Sequence, residues 1–463
     1  MNRVAGIETE YGCLVTGEGV TGPETWPARV RNYLFKKAKA GVIDLHYRDY
    51  EEPPGNGGFL LNGGRLYMDM GHLEYSSPES RTVRDAVAYD IAGDRLLQSA
   101  LDALGVGGEV AFIKNNIDHH TGATFGCHEN YLMKRELQFG PRMLGTLLSF
   151  LATRQIFTGA GRVGQASPLA FDFEPDNHPG AVPFQISQRA DHIVNDIYQW
   201  VQFNRAIINA RDEPLADFRK YRRLHLLIGD SNMSPFATAL KVGTTSLILT
   251  LLEENNLPDD VILHDAVMAT RQVSHEGTGR AAIALDDGRT RDALDIQLEF
   301  LTHARRVLGG RDAETDWILE RWEFTLGALG TKPELLIGGV DWISKRWLLE
   351  TFRENEGLTW QDPWLQSLDL EYHNINPARG LFFALTPAKA IGEFNDAANR
   401  PEAMRKPPAD TRAHGRGLAA AHFQKHELPY VINWDAISIE TARHLPMPDP
   451  FETYESHVAE FVK

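Results

Sequence analysis

The chain has 463 residues, 43% of them hydrophobic and 24% charged, with a formal net charge of −16 at pH 7. Its length calls for a large domain plus a smaller one, its composition is that of a globular protein, and its charge argues against broad binding to nucleic acid or an anionic membrane. Cys13 and Cys127 are the only cysteines, which excludes a disulfide framework or a cysteine-built zinc cluster, and no apolar run approaches the ~18–20 residues of a membrane span.

Met1–Gly12 lacks the apolar stretch of a signal peptide, so the expected compartment is the cytoplasm. The same stretch carries the first strand signal. In Arg3–Gly12 the carboxylates Glu8 and Glu10 fall two apart and share a face, while Ile7, Thr9 and Tyr11 take the other. Side-by-side carboxylates repel unless a cation lies between them, and Mg²⁺, with its preference for hard oxygen ligands, suits that place. An edge strand with two solvated glutamates is the alternative for this strand taken alone.

His46–Gly58, with Pro53-Pro54 followed by Gly55-Asn56-Gly57-Gly58, is expected to be a tight polar turn. Asn62-Gly63-Gly64 is turn chemistry ahead of the most informative strand, Arg65–Met70. Its alternation puts Arg65, Tyr67 and Asp69 on one face and Leu66, Met68 and Met70 on the core face. Glu74, Tyr75, Ser76 and Ser77 follow closely.

A helix is expected over Thr82–Leu104, stopped by Gly105. Glu109–Lys114 is a short strand, and Cys127–Met133 is another, with His128, Asn130 and Leu132 on one face. A helix over Arg142–Phe157 leads to the glycine-rich turn Gly159–Gly164. Phe184–Ala190 is strand-like, and Ile207–Pro214 is a polar turn after a strand. Tyr221–Asn232 is a strand with Arg223 and His225 on one face and Leu224, Leu226 and Ile228 on the other. Helix is expected over Met233–Glu254 and Ala293–Leu308, with Glu253-Glu254 a solvated helix end. Trp317, Trp322, Trp342 and Trp347 are expected in helices, packed in the core. The proline-, alanine- and charge-rich stretch Thr386–Thr411 marks a boundary. It divides residues 1–395 from a small C-terminal domain, 396–463, with a strand at Tyr430–Trp434.

Strands that are polar along one whole face do not suit a parallel sheet covered on both sides. The expected fold class is therefore α+β, an antiparallel sheet with one wet, concave face, backed by helices. If the strands are neighbours, that face gathers Glu8, Glu10, Arg65, Tyr67, Asp69, Glu74, Ser76, His128, Asn130, Arg223 and His225. Carboxylates and histidines hold divalent metal, arginines clamp phosphate oxygens, and a central carboxylate such as Asp69 serves as base or nucleophile. No P-loop is present, and Gly159–Gly164 matches a phosphate loop only weakly.

These residues fall in motifs that run nearly end to end: GIETEYG at Gly6–Gly12, NGGRLYMD at Asn62–Asp69, EYSSPE at Glu74–Glu79, KNN at Lys114–Asn116 and GCHENYL at Gly126–Leu132. SQRADHI at Ser187–Ile193, RDEPLAD at Arg211–Asp217, YRRLHLLIGDSNMS at Tyr221–Ser234, PPADTRA and INW complete the series. Together, and in this order, they closely resemble the family of Pup ligases (PafA) and Pup deamidases/depupylases (Dop), relatives of glutamine synthetase. The resemblance implies a glutamine-synthetase-like large domain with a curved antiparallel sheet and a small C-terminal domain. It implies ATP on the sheet with Mg²⁺ between its phosphates and the acidic groups. By matched position it implies Glu8, Tyr67 and Glu74 as metal-site residues, with Glu10, His128 and His225 as further candidates. Arg65, Ser76, Ser77, Asn130, Arg223 and Trp434 are implied as nucleotide-site residues, and Asp69 as the catalytic aspartate.

Within the family, GIETEYG, Asn32–Lys37, Cys127 in GCHENY and DSNMS at Asp230–Ser234 are ligase-like. The depupylase type carries a much longer insertion where His46–Gly58 is short here, although Asp49-Tyr50-Glu51 resembles the start of that insertion and the GHLEY spacing leans the same way. The leading expectation is an ATP-dependent ligase joining the C-terminal glutamate of a Pup-like modifier to lysines of substrate proteins. The alternative is hydrolysis of the modifier's terminal glutamine or of the isopeptide bond.

Overall fold

The computed structural model describes residues 3–17, 21–48, 50, 52–118, 123–137, 139–164, 182–200, 205–426, 428–439 and 443–463. Twelve strands precede the long helical stretch: β1 (Ala5–Val15), β2 (Gly41–Ile43), β3 (Gly57–Leu60), β4 (Arg65–Asp69), β5 (His72–Ser76), β6 (Val110–Ile113), β7 (Cys127–Lys134), β8 (Arg162–Val163), β9 (Phe184–Gln185), β10 (Ile193–Tyr198), β11 (Arg205–Asn209) and β12 (Tyr221–Leu226). The main sheet runs β10-β11-β12-β7-β1-β5-β4-β3-β2, and β6 pairs with the far half of β1. Its neighbours are antiparallel, as expected, except at one edge, where β10 and β11 are parallel.

The long central strand β1 shows why one face is dry. Ala5, Ile7, Thr9 and Tyr11 are buried while Gly6, Glu8 and Glu10 alternate with them, half-buried. Two helices cover the dry face. Val83–Ala103 begins where the Thr82 hydroxyl accepts from the Asp85 amide, and ends before Gly105 at φ 75°, a left-handed turn that favours glycine. Pro235–Glu253 is capped by Ser234. By length and composition this second helix could cross a membrane, against the expectation of no such run, but 89% of its apolar window is buried inside the protein. Buried polar links tie the layers: Lys114 Nζ donates to Asp90 at 2.6 Å and the Tyr11 hydroxyl to Asp94 at 2.6 Å.

Several local expectations change in three dimensions. Met70 is not in the core: it takes φ 43° in the β4–β5 turn with Gly71 at φ 94° and is 74% exposed. The helix expected over 142–157 is two pieces, Pro141–Thr153 and Gln155–Thr158. Between them, Arg154 donates to the Glu129 carboxylate on the dry face of β7. Phe184–Ala190 is strand only at Phe184–Gln185, which pairs with Arg162–Val163; the glycine-rich stretch is thus packed backbone. Trp322 and Trp342 are buried, but Trp347 is 46% exposed. Glu253 is not solvated, because Arg3 reaches it at 2.7 Å.

Toward the C-terminus, strands Tyr430–Ile432, Ala436–Ile439 and Arg443–Pro446 form a small sheet with the helices Ala413–Lys425 and Glu455–Phe461. Their apolar cluster includes Val42 and Phe59 from β2 and β3. This packing brings Trp434 to the edge of the wet face.

Candidate functional site

Strand register assembles the site. Cross-strand partners share a face and stand about 5 Å apart. Glu8 is opposite Ser76 on one side and His128 on the other, and Glu10 is opposite Glu74. Arg65 faces Ser76, Tyr67 faces Glu74, and Asp69 faces His72. Asn130 lies between Gly6 and His225, and Arg223 is opposite Leu132. Every residue expected on the wet face of these strands is therefore in one lattice.

Two sets of ligand-type atoms converge, each with its members within 4.8 Å of one another: Glu8, His128 and His225, and Glu10, Asp69 and Glu74. Asp69, expected as the catalytic carboxylate, is thus a neighbour of two others. Tyr67, implied as a metal-site residue, joins the second set through Glu74, to which its hydroxyl donates at 2.5 Å. Burial, with the charges of Glu74 and Glu8, pushes the Tyr67 phenol well up, so it stays protonated.

Glu8 accepts from Asn130 Nδ2 at 3.0 Å and Arg223 Nη2 at 3.1 Å, and His128 Nδ1 lies 3.2 Å away. Burial alone would raise its pKa; His128, His225 and Arg223 outweigh burial and hold it well below the usual range. Glu74 is the reverse case. Burial and the charges of Glu8, Glu10 and Asp69 push it well up, despite the Tyr67 hydrogen bond. Crowded carboxylates without a cation respond in this way.

The residues fit a divalent cation on three observations. His128 Nε2 and His225 Nε2 are buried with no hydrogen-bond partner. Burial and the nearby Arg223 lower the His225 pKa to about 4, which leaves a neutral imidazole, the form that binds metal. A Cβ placed on Gly126 would sit 2.4 Å from His128 Nε2 and 2.8 Å from Glu10 Oε1, so members of both sets aim at the space a side chain would fill. The oxygen-only set suits Mg²⁺, and the mixed set admits a borderline metal as well.

Beside the clusters opens a cavity of about 360 Å³. Arg65, Ser76, Ser77, Asn130, Arg223 and Trp434, the six residues implied for the nucleotide, all line it. The Trp434 ring packs edge-on against Phe59 at 5.2 Å, with the Arg416 guanidinium 4.8 Å from its centre. Trp434 gives the cavity an aromatic wall, and Arg65, Arg211, Arg223 and Arg412 give it cations.

Sequence reading missed several groups here. Glu52 and Glu79 line the cavity. Glu52 and Asp44 both pair with Arg65, and Glu79 pairs with Arg412 at 2.8 Å and with Arg416. Arg189 is fully buried and its Nε and Nη2 have no hydrogen-bond partner. Burial and Arg205 lower its pKa to about 10, against the pull of Glu10. Its signal was its place in SQRADHI. Nothing in the sequence signals the Glu52–Arg65 contact, which joins a turn to a strand. Asp49 and Glu51 of the segment resembling the depupylase insertion lie outside the described residues.

Crowded carboxylates and imidazoles on a sheet, beside an arginine-lined cavity with an aromatic wall, define the class as a nucleotide-binding protein. Comparison with known proteins gives the family. A family model described as Pup-ligase protein matches residues 3–438, and the chain belongs to that family. The chain is 39% identical over 479 residues to a Pup--protein ligase of Kocuria rhizophila, covering 100% of this chain and 98% of the relative. It is 36% identical over 501 residues to a depupylase of Acidothermus cellulolyticus, covering 100% and 97%. Among solved structures, the complex of the prokaryotic ubiquitin-like protein Pup with its ligase PafA matches with a TM-score of 0.81 at 30% identity, covering 100% of this chain and 91% of that one. PafA in complex with ADP matches with a TM-score of 0.76 at 30% identity, covering 97% and 96%. The α+β fold expected from the polar-faced strands is the fold of the Pup ligase.

Proposed function

We propose that this protein is an ATP-dependent ligase that joins the C-terminal glutamate of a Pup-like modifier to lysines of substrate proteins, in the cytoplasm. The observation that carries this reading is an arginine-lined cavity of nucleotide size whose wall includes Glu8 and Tyr67, with Tyr67 bonded to Glu74 and Glu74 clustered with Asp69. ATP lies in that cavity, with its base toward Trp434 and its phosphates toward Arg65 and Arg223. Phosphorylation of the modifier's γ-carboxylate gives an acyl phosphate and ADP. The lysine amine then forms the C–N bond, the bond from carbon to the phosphate oxygen breaks, and inorganic phosphate leaves.

Asp69 accepts the proton that the lysine ammonium must lose before it can attack. Ser76, Ser77 and Asn130 offer hydrogen bonds to the nucleotide along the cavity wall. Glu8, His128 and His225 hold one divalent cation, and Glu10 and Glu74, with Tyr67 fixing Glu74, hold another. Bound Mg²⁺ supplies charge neutralisation for phosphoryl transfer. The small C-terminal unit, beginning near residue 396, contributes Trp434.

A second reading, hydrolysis of the modifier's terminal amide or of the isopeptide, is favoured by the full-length similarity to a depupylase. Net ATP use separates the two. Purified protein is incubated with Mg-ATP, a modifier ending in glutamate or glutamine, and a lysine-bearing acceptor, and intact masses and ADP are measured. Ligation gives a conjugate with equimolar ADP; conversion of terminal glutamine to glutamate without matching ADP contradicts it.

A further inference from the structure

A second cavity, about 440 Å³ in volume, lies past the carboxylates. The nucleotide cavity borders β1 at Ala5–Glu8; the second borders the same strand at Gly12–Leu14. Glu10 falls between them. The β4–β5 hairpin is divided in the same way, with Arg65 and Tyr67 on the nucleotide cavity and His72 on the second. His72 is the cross-strand partner of Asp69, so the second cavity ends one cross-strand neighbour from that carboxylate, on the side away from the nucleotide cavity.

The walls of this cavity differ in chemistry from those of the first. The nucleotide cavity is lined by Arg65, Arg211, Arg223 and Arg412. Among the described residues, the second has no arginine or lysine in its lining. The described walls are mostly apolar, with Leu14, Ile117, Phe125 and Leu370, and the carboxylate among them is Asp118. Phe125 is fixed over the sheet: it stacks on His72 with centroids 4.9 Å apart and planes at 24°, and stands 3.3 Å from where a Gly12 Cβ would be. His72 Nδ1 lies 3.4 Å from the Tyr11 carbonyl oxygen, so its imidazole is held on both sides.

We propose that this second cavity receives the acceptor lysine. The proposal rests on the ligase reading and adds the route by which the nucleophile arrives. A modifier ending in glutamate brings two carboxylates and suits arginine or lysine, neither of which occurs among the described residues of these walls. A lysine brings four methylenes and an ammonium, which match apolar walls and one acid. Asp118 draws the ammonium in, and the stem lies along Phe125 and Leu14. The amine passes His72 to Asp69, where one proton is removed before attack. The nitrogen's second proton leaves after the C–N bond has formed, and phosphate is expelled. His72 is a positioning residue for this approach.

The test uses Ser367→Trp, which fills the cavity from an exposed position on the helix Pro363–Tyr372, and Asp118→Asn, which removes its charge without changing its shape. Nα-acetyl-lysine amide serves as acceptor with Mg-ATP and glutamate-ending Pup. In parallel, hydroxylamine replaces the acceptor and traps the acyl phosphate as a hydroxamate. Ser367→Trp is expected to raise the acceptor KM at least ~10-fold, and Asp118→Asn about threefold, with the Pup KM and hydroxamate formation unchanged. An unchanged acceptor KM in both variants, or a rise in the Pup KM, overturns the assignment. Absence of hydroxamate from the wild-type protein overturns the ligase reading and this inference with it, a result distinct from either.

Discussion

Gly126→Ala separates the proposed cation site from the fold. The added Cβ meets His128 Nε2 at 2.4 Å and Glu10 Oε1 at 2.8 Å, where ordinary contact begins at 3.4 Å. One ligand atom must therefore move by about 1 Å and the other by about 0.6 Å, against the roughly 0.2 Å tolerance of a metal–ligand bond. Both clashing atoms are the far ends of side chains, so each swings away cheaply and the backbone of β7 is spared. Loss of ligand alignment costs roughly 10–100-fold in metal affinity, and here members of both cation sets are displaced. The Mg²⁺ concentration for half-maximal ATP turnover is expected to rise about 100-fold, while the thermal midpoint changes by no more than a few degrees. Titration of activity against Mg²⁺, with circular dichroism melting alongside, measures both. An unchanged Mg²⁺ requirement refutes the convergence over Gly126; collapse of the fold refutes the claim that only the ligands yield.

Three further outcomes follow from the site. Asp69→Asn keeps the shape and loses the basicity, so conjugation should fall by roughly 10²–10⁴-fold with nucleotide affinity retained; wild-type turnover removes Asp69 from the mechanism. Glu52 holds Arg65 at the wall of the nucleotide cavity and competes with phosphate there. Glu52→Gln should tighten ATP binding about threefold to tenfold by calorimetry, given the ~1 kcal/mol scale of a partly exposed charged pair, and weaker binding contradicts that competition. Glu79 is pushed up by burial but held down to about 2 by Arg416 and Arg412. Because its folded pKa lies below its unfolded value of 4.5, its contribution of roughly 3 kcal/mol is present above pH 4.5 and lost as pH falls toward 2. Thermal melts from pH 6 to pH 2 should show this loss in the wild type and a shallower slope in Glu79→Gln; equal slopes dissociate Glu79 from acid stability.

What was legible in the sequence was what strand period controls. Glu8 and Glu10, or Arg65, Tyr67 and Asp69, share a face whatever the neighbouring strands are, because side chains alternate. Full-length motif order identified the family and, through it, six residues that do line one cavity. Met70 was misplaced because alternation was carried one residue past Asp69, into a turn where φ becomes positive. The division into two sets of ligand-type atoms was not legible, since it depends on which strands pair and in what register. Glu10 joins Glu74 through β5, while Glu8 joins His128 through β7. Gly126 stood in the motif GCHENYL, but its role was not legible, because that role is the space left by an absent side chain. Glu253 looked solvated at the end of a helix, but Arg3, 250 positions away, neutralises it.

The central claim is that Asp69 and the adjoining cavity perform ligation driven by ATP. Its most direct measurement is the ratio of conjugate to ADP, by intact mass and coupled assay, in a single reaction containing Mg-ATP, glutamate-ending Pup and a lysine-bearing acceptor. One ADP per isopeptide bond is the predicted result. Loss of preformed conjugate, or deamidation of glutamine-ending Pup, without matching ADP contradicts it.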